Sequence, residues 1–242
     1  MGNELDFYGS IRTPDVRMLY DMKEVLFDRE WLGQVKNMEL YYMYRDLYRS
    51  ESDLETMKEH NIRYDITVIP PKMLGREYVK TAGHYHPFVP GTKLSYAEVY
   101  QVLEGKATYL LQKQEDNMIT DVVVYNAEKG DCVVIPSGYG HITINATGET
   151  LKMANWVASD FSSVYEPIRD LSGAAYYLLV DGFVRNPDYS EAPAIRFMET
   201  TDYPELGIFG GKDMYDLVND SGKLKFLTRP QDYVSIFEKV IA

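Results

Sequence analysis

The stretch Gly130–Asn145, GDCVVIPSGYGHITIN, decides how the rest of the chain is read. Its first half is a β-branched run that ends in Pro136-Ser137-Gly138. Proline and glycine side by side mark a turn, and a second β-branched run follows it. The result is strand, turn, strand, with His141 carried into the second strand. The spacing is G-x5-P-x-G-x2-H-x3-N, filled by Gly130, Pro136, Gly138, His141 and Asn145.

Two more histidines, His84 and His86, stand one residue apart in GHYHPFVPGTKLSYAEVY, Gly83–Tyr100. On an extended strand, residues i and i+2 face the same way, so both imidazoles point to one side. The fourth, His60, lies in the polar stretch MKEHNIR and reads as a surface residue. Glu98 lies in YAEVYQV, where Glu98, Tyr100 and Val102 share one face and Ala97, Val99 and Gln101 the other. An inward carboxylate needs a partner, and a metal or a substrate proton supplies one. If the four side chains converge, three imidazoles and a carboxylate leave positions open for substrate or water. Mixed nitrogen and oxygen donors suit Fe, Mn, Ni, Co or Zn. The bland alternatives are solvent-facing histidines and an edge-strand glutamate.

Around these motifs the chain reads as all-β. ELYYMYRD, NIRYDITVIP, YAEVYQVLEG, KATYLLQKQ, DVVVYNAE, DCVVIPSG, HITINATG and LKMANWVAS follow one another between Gly, Pro, Asn and Asp clusters, the pattern of a sandwich or barrel. LEGKA and QEDNM read as hairpin turns. RTPDVRMLYDMKEVLFD reads as an arm with a short helical stretch. GAAYYLLVDG is a strand, and DYSEAPAIRFME an edge strand limited by its proline. RPQDYVSIFEKVIA has helical spacing after Pro230. One domain results: an N-terminal arm over 1–38, a barrel core over about 39–182, and a short helical extension over about 183–242.

Composition narrows the function. A net charge of −12 opposes nucleic-acid binding, which needs a basic face, but leaves room for a small phosphorylated ligand held locally. The 21 tyrosines fit strands around a wet interior. Cys132 is the only cysteine, so no intrachain disulfide and no thiolate zinc cluster can form, and it reads as a buried core thiol. The start MGNELD lacks a signal-peptide pattern, and Asp6 breaks the myristoylation motif. No segment approaches the ~20 apolar residues of a membrane span. The expectation is a cytoplasmic protein.

The Gly130–Asn145 spacing matches the second cupin motif at every defining position, and Glu98 with Gly105 matches the E-x6-G end of the first. The first motif normally separates His from Glu by three or four residues; here Pro87–Ala97 intervene. DITVIPPKMLGREYVKTAGHYH, AEVYQVLEGKATYLLQ, LYYMY and RMLYDMKEVLFD carry a closer resemblance, to the archaeal-type cupin phosphoglucose isomerases, over about residues 17–173. That resemblance implies a cupin β-barrel (jelly roll) and a metal held by His84, His86, Glu98 and His141. It makes Glu98 the general base, with Tyr100 beside it. It places the substrate phosphate at Thr67, Thr81 and the Gly83 backbone, and adds Tyr41 and Tyr165 as pocket tyrosines. KTAGHYH stands where the family often has T-K-G-H, so Lys80 is displaced from the usual lysine position.

The activity so implied is glucose 6-phosphate to fructose 6-phosphate isomerisation, through a cis-enediol or a metal-assisted hydride shift, in a homodimer. Three other readings use the same residues: a metal-dependent dioxygenase, a mannose-6-phosphate isomerase, and a non-catalytic cupin that binds sugar phosphate. The Pro87–Tyr96 insertion is expected to link neighbouring strands and to shape the pocket rim.

Overall fold

The computed structural model describes residues 3–242; Met1 and Gly2, where an acylation signal would begin, lie outside the described residues. Sixteen strands are described: β1 (Leu5–Phe7), β2 (Ser10–Arg12), β3 (Asp15–Met18), β4 (Glu39–Tyr44), β5 (Ile62–Ile69), β6 (Met73–Leu74), β7 (Glu77–Tyr78), β8 (Glu98–Glu104), β9 (Lys106–Glu115), β10 (Met118–Glu128), β11 (Cys132–Ile135), β12 (Tyr139–Ile144), β13 (Leu151–Ala158), β14 (Tyr176–Leu179), β15 (Gly182–Arg185) and β16 (Arg196–Met198). Two sheets make the barrel: β11-β8-β13-β5-β4-β3 and β12-β9-β10-β16. Tyr100, Val102 and Met153 of the first meet Tyr109, Leu111 and Val123 of the second in one core. This all-β, two-sheet arrangement is the barrel that the strand pattern anticipates.

Alternation along β8 sorts the side chains as expected. Tyr100 and Val102 belong to the barrel core, while Ala97 and Val99 belong to a second core on the outer face. That outer face is covered by the C-terminal residues, including Leu206, Tyr215 and Phe226. The extension, with Phe7, Leu47 and Met57, therefore packs over the outer side of the six-stranded sheet. It contains a 3₁₀ run over Met214–Leu227, broken at Asp220, and helix Val234–Val240. β16 pairs parallel with β10 at the sheet edge and begins only after Pro193. In the arm, β3 joins the six-stranded sheet beside β4.

Three local expectations are corrected. LEGKA is not a hairpin: β8 pairs with β11 and β13, whereas β9 pairs with β10 and β12. The turn carries the chain from one sheet to the other. Gly105 (φ +75°) makes it possible, since a Cβ there would lie 2.5 Å from the Thr150 carbonyl oxygen. The Pro136–Gly138 turn likewise crosses between sheets, from β11 on β8 to β12 on β9. The QEDNM hairpin is present, with Asp116 and Asn117 both at positive φ, as a tight two-residue turn demands. Thirdly, a helix over Glu51–His60 interrupts the strand series. Ser50 caps its start by accepting from the Asp53 amide, and Asn61 ends it in the left-handed conformation.

Candidate metal centre

Glu98 is the first residue of β8, and His141 is the third of β12. They come from opposite walls of the barrel. His84 lies beside His141 through a backbone bridge, with amides bonded in both directions (3.3 and 3.0 Å). His84 therefore sits against β12 rather than beside the Glu98 strand, while His86 stays near that strand through its bond to the Tyr96 carbonyl. The chain can approach so closely because Gly83 (φ +77°) has no Cβ; one would lie 2.6 Å from Ile142 Cγ1.

The donor atoms of His84, His86, Glu98 and His141 all lie within 4.8 Å of one another. His84 Nε2 and His86 Nε2 are 3.2 Å apart, and Glu98 Oε2 is 3.3 Å from His86 Nε2 and 3.1 Å from His141 Nε2. Glu98 is 3% exposed, and its Oε2 makes no hydrogen bond. A buried carboxylate oxygen without a donor, facing three imidazole nitrogens, is what a cation would satisfy. Protonation agrees. Burial, then the neighbouring His141 and His86, hold His84 well below the usual imidazole range. Burial also lowers His141, outweighing the pull of Glu98. Burial opposes ionisation of Glu98, but the close approach of the His141 and His86 rings outweighs it and holds the carboxyl well below its usual value. Neutral imidazoles and an ionised carboxylate are the states that bind metal. The residues fit a divalent ion.

Around the cluster, His86 Nδ1 pairs with the Tyr96 carbonyl oxygen (3.0 Å), the type of contact that fixes a ligating ring. Asn155 Nδ2 donates to Glu98 Oε1 (2.7 Å). The Tyr100 hydroxyl is 3.1 Å from His141 Nε2, and burial followed by the Glu98 charge keeps that phenol protonated.

The cluster opens into a cavity also lined by Tyr41, Thr67, Thr81, Gly83 and Tyr165, so all the sequence-derived pocket residues meet in one place. Its empty space, counted with the open solvent at its entrance, is about 680 Å³. Thr81 Oγ1 accepts from the Thr143 amide (3.0 Å), and the Tyr41 hydroxyl accepts from the Ala82 amide (3.2 Å). Lys80 is absent from the cavity; its Nζ is bound to Glu77 Oε1 (2.5 Å) and the Val25 carbonyl (2.7 Å).

Sequence reasoning missed Arg17, Arg45, Arg63, Asp65, Asn155 and Phe161, all of which line the cavity. The available signal was alternation. Arg63, Asp65 and Thr67 are polar at every second position of β5, with Tyr64, Ile66 and Val68 between them. The insertion is a hairpin-like excursion closed at its base by Tyr96 N to Pro87 O (3.2 Å) and a Phe88–Ser95 bridge. None of its residues lines the cavity, which corrects the rim expectation. It acts through Tyr96, whose ring stacks on Phe161 (4.7 Å), which in turn packs on His86 (4.6 Å).

A family model described as glucose-6-phosphate isomerase matches residues 16–194. Among curated proteins, the glucose-6-phosphate isomerase of Thermococcus litoralis is 34% identical over 152 residues, covering 61% of this chain and 72% of that one. That of Pyrococcus furiosus is 32% identical over 151 residues (61% and 73%), and that of Thermococcus gammatolerans 28% over 179 residues (72% and 87%). Among solved structures, an oxalate oxidase in complex with glycolate is similar with a TM-score of 0.40 at 14% identity, covering 53% of this chain and 56% of that one. Bacillus subtilis oxalate decarboxylase is similar with a TM-score of 0.35 at 20% identity (52% and 27%).

Proposed function

Since the chain belongs to the glucose-6-phosphate isomerase family, we propose that it interconverts glucose 6-phosphate and fructose 6-phosphate at the Glu98 cluster. The observation that carries this reading is the convergence of His84, His86, Glu98 and His141 at the foot of a polar cavity. These four residues would hold one divalent transition metal, which when bound supplies a Lewis acid for the sugar carbonyl.

The chain's own residues account for the rest. The difficult step removes a weakly acidic C–H proton beside a carbonyl. Glu98, ionised at neutral pH, takes that proton from C2 and returns it to C1 through a cis-enediol, a role worth ~10²–10⁴-fold. Asn155 fixes its Oε1 from one side. The Tyr100 hydroxyl, kept protonated beside His141, is a donor for a sugar oxygen at the same end. Thr67, Thr81 and the Gly83 backbone hold the phosphate, with Tyr41 and Tyr165 walling the sugar. Arg17, 6.0 Å from the Tyr41 ring centroid and with its Nε unpaired, supplies a cation at that end. A chain of net charge −12 needs this local compensation.

The test is a coupled assay with fructose 6-phosphate, before and after chelation and with metal add-back. Activity that disappears on chelation and returns with metal is expected; full activity in the chelated protein overturns the reading. Solvent deuterium entering the product at C1 or C2 is expected for the enediol; strict retention of the C2 hydrogen would assign a hydride shift instead. The reading carries a homodimer, since closed symmetric pairs are the commonest soluble oligomers. A solution mass of 27.9 kDa, that of one chain, would overturn it. It also places the protein in the cytoplasm, in keeping with described helices none of which is long and apolar enough to cross a membrane.

A further inference from the structure

The cavity wall carries charges that the isomerase reading leaves unused. Asp65, 4% exposed, accepts from Arg63 Nε (2.9 Å) and the Asp46 amide (3.0 Å), with Arg45 Nη1 at 3.6 Å. The two terminal nitrogens of Arg63 have no hydrogen-bond partner among the described residues. Arg45 makes a further pair with Asp15 (3.2 Å), a side chain 70% exposed and so screened by water. One buried carboxylate thus aligns two guanidinium groups along the cavity wall, and the terminal nitrogens of Arg63 are left to meet a ligand.

Position gives this pair its meaning. Through β13, Arg63 and Glu98 both pair with Val157, so the pair stands at the Glu98 end of the cavity. Tyr41, bound to the Ala82 amide beside Thr81 and Gly83, lies four residues before Arg45, about 13 Å at ~3.4 Å per residue of strand. Cations therefore stand at both ends of the cavity, Arg17 by Tyr41 and Arg45 with Arg63 by Glu98. Arg45 and Arg63 line the same cavity as Glu98, so a substituent at the carbonyl end of the sugar comes within their reach.

We propose that Arg45 and Arg63 form a second anion-binding subsite, which takes sugar phosphates bearing another phosphoryl group at the carbonyl end. Hexose 1,6-bisphosphates are the type. The inference rests on the isomerase reading for the direction in which the sugar lies. Guanidinium forks match phosphate oxygens in pairs, and such charge-assisted bonds are the strong ones. A sugar esterified at O1 cannot move its carbonyl to C1, so the bisphosphate binds as a competitive inhibitor and is not turned over.

The test compares fructose 1,6-bisphosphate with fructose 6-phosphate on the metal-loaded protein. The inhibition constant of the bisphosphate is expected about tenfold or more below the KM of the monophosphate, the gain of roughly one charge-assisted contact. Arg63→Gln should raise the ratio of the two constants about tenfold, and Arg45→Gln by less, because Arg45 shares its charge with Asp15. Arg45→Gln also decides the matter should loss of Arg63 beside buried Asp65 prevent folding. Equal affinity of the wild-type protein for both ligands overturns the subsite. So does a ratio left unchanged by either variant, which would make the arginines servants of the isomerisation alone. Calorimetric titration with fructose 1,6-bisphosphate separates the two readings. Arginine-dependent binding without any isomerase turnover would fail the enzyme and keep the subsite; turnover without such binding would do the reverse.

Discussion

The two faces of the six-stranded sheet are built from alternate residues of the same strands, yet they hold opposite environments. On β5, Arg63, Asp65 and Thr67 line the cavity, while Tyr64 and Ile66 belong to the outer core. On β13, Asn155 bonds Glu98 on one side, and Trp156 packs against Tyr64 (5.0 Å) and Tyr215 (5.7 Å) on the other. On β8, Glu98 and Tyr100 face the cluster and Val99 faces the C-terminal residues. A cavity needs polar groups held rigidly, and these groups weaken the face that carries them. The dry outer face, closed by the extension, supplies the packing that the inner face forgoes. Chemistry and stability should therefore separate by residue parity.

The sharpest break comes on the inner face. His141→Ala removes one of four converging donors, so metal content by elemental analysis and isomerase activity should fall together to background. The melting temperature of the chelated protein should change little, because the lost ring touches the cavity. Full activity in this variant would dissolve the distinction between the faces. Second comes the outer face. Trp156 is fully buried and donates its Nε1–H to the Met214 carbonyl (2.9 Å). Trp156→Ala should cost about 3–5 kcal/mol of unfolding free energy, by urea titration, while surviving folded protein keeps its metal. We expect barrel and extension to melt in one transition, as a single domain; two transitions would divide them.

A smaller effect is expected at Thr81, whose Oγ1 also accepts from the Thr143 amide. Thr81→Val should raise the KM for fructose 6-phosphate about tenfold with a smaller change in kcat, the cost of one unmade hydrogen bond to an anion. Thr81→Ser should restore both constants. An unchanged KM in the valine variant removes Thr81 from the phosphate site.

How far the sequence reached follows the same division. Local spacing located His141, His84, His86 and Glu98, because a metal cluster is written in short motifs whose residue types are rare. The alternation within β8 was equally legible, since parity is a property of one strand. That Asn155 and Asp65 belong to one site was not. Each is an ordinary polar strand residue until pairing across β13 sets Asn155 opposite Asp65 on one side and Tyr100 on the other. That register is a long-range fact which no local pattern encodes. The sheet crossing at Gly105 was missed for the same reason, as a glycine turn between two strands looks like a hairpin until their partners are known.

The smallest effect is expected at the feature that first made the metal motif look broken. The Pro87–Ala97 insertion separates His86 from Glu98 in sequence, but its base is zipped by Tyr96 N to Pro87 O and Val89 N to Leu94 O (2.8 Å). None of its residues lines the cavity, and Phe88 is 66% exposed. The contacts that matter are at the base, where the Tyr96 carbonyl meets His86 Nδ1 and the Tyr96 ring stacks on Phe161. Replacing Pro90–Lys93 by a two-residue Asn-Gly turn keeps that base and closes the strands tightly. Metal content should be unchanged and the KM for fructose 6-phosphate should move less than about twofold, within the ±0.5 kcal/mol typical of surface changes. Tyr96→Ala, at the base of the same excursion, should instead lower metal affinity, because it frees Phe161 and the ring it holds. A shortened tip that abolished sugar binding would return the excursion to the cavity rim and remove the contrast between tip and base.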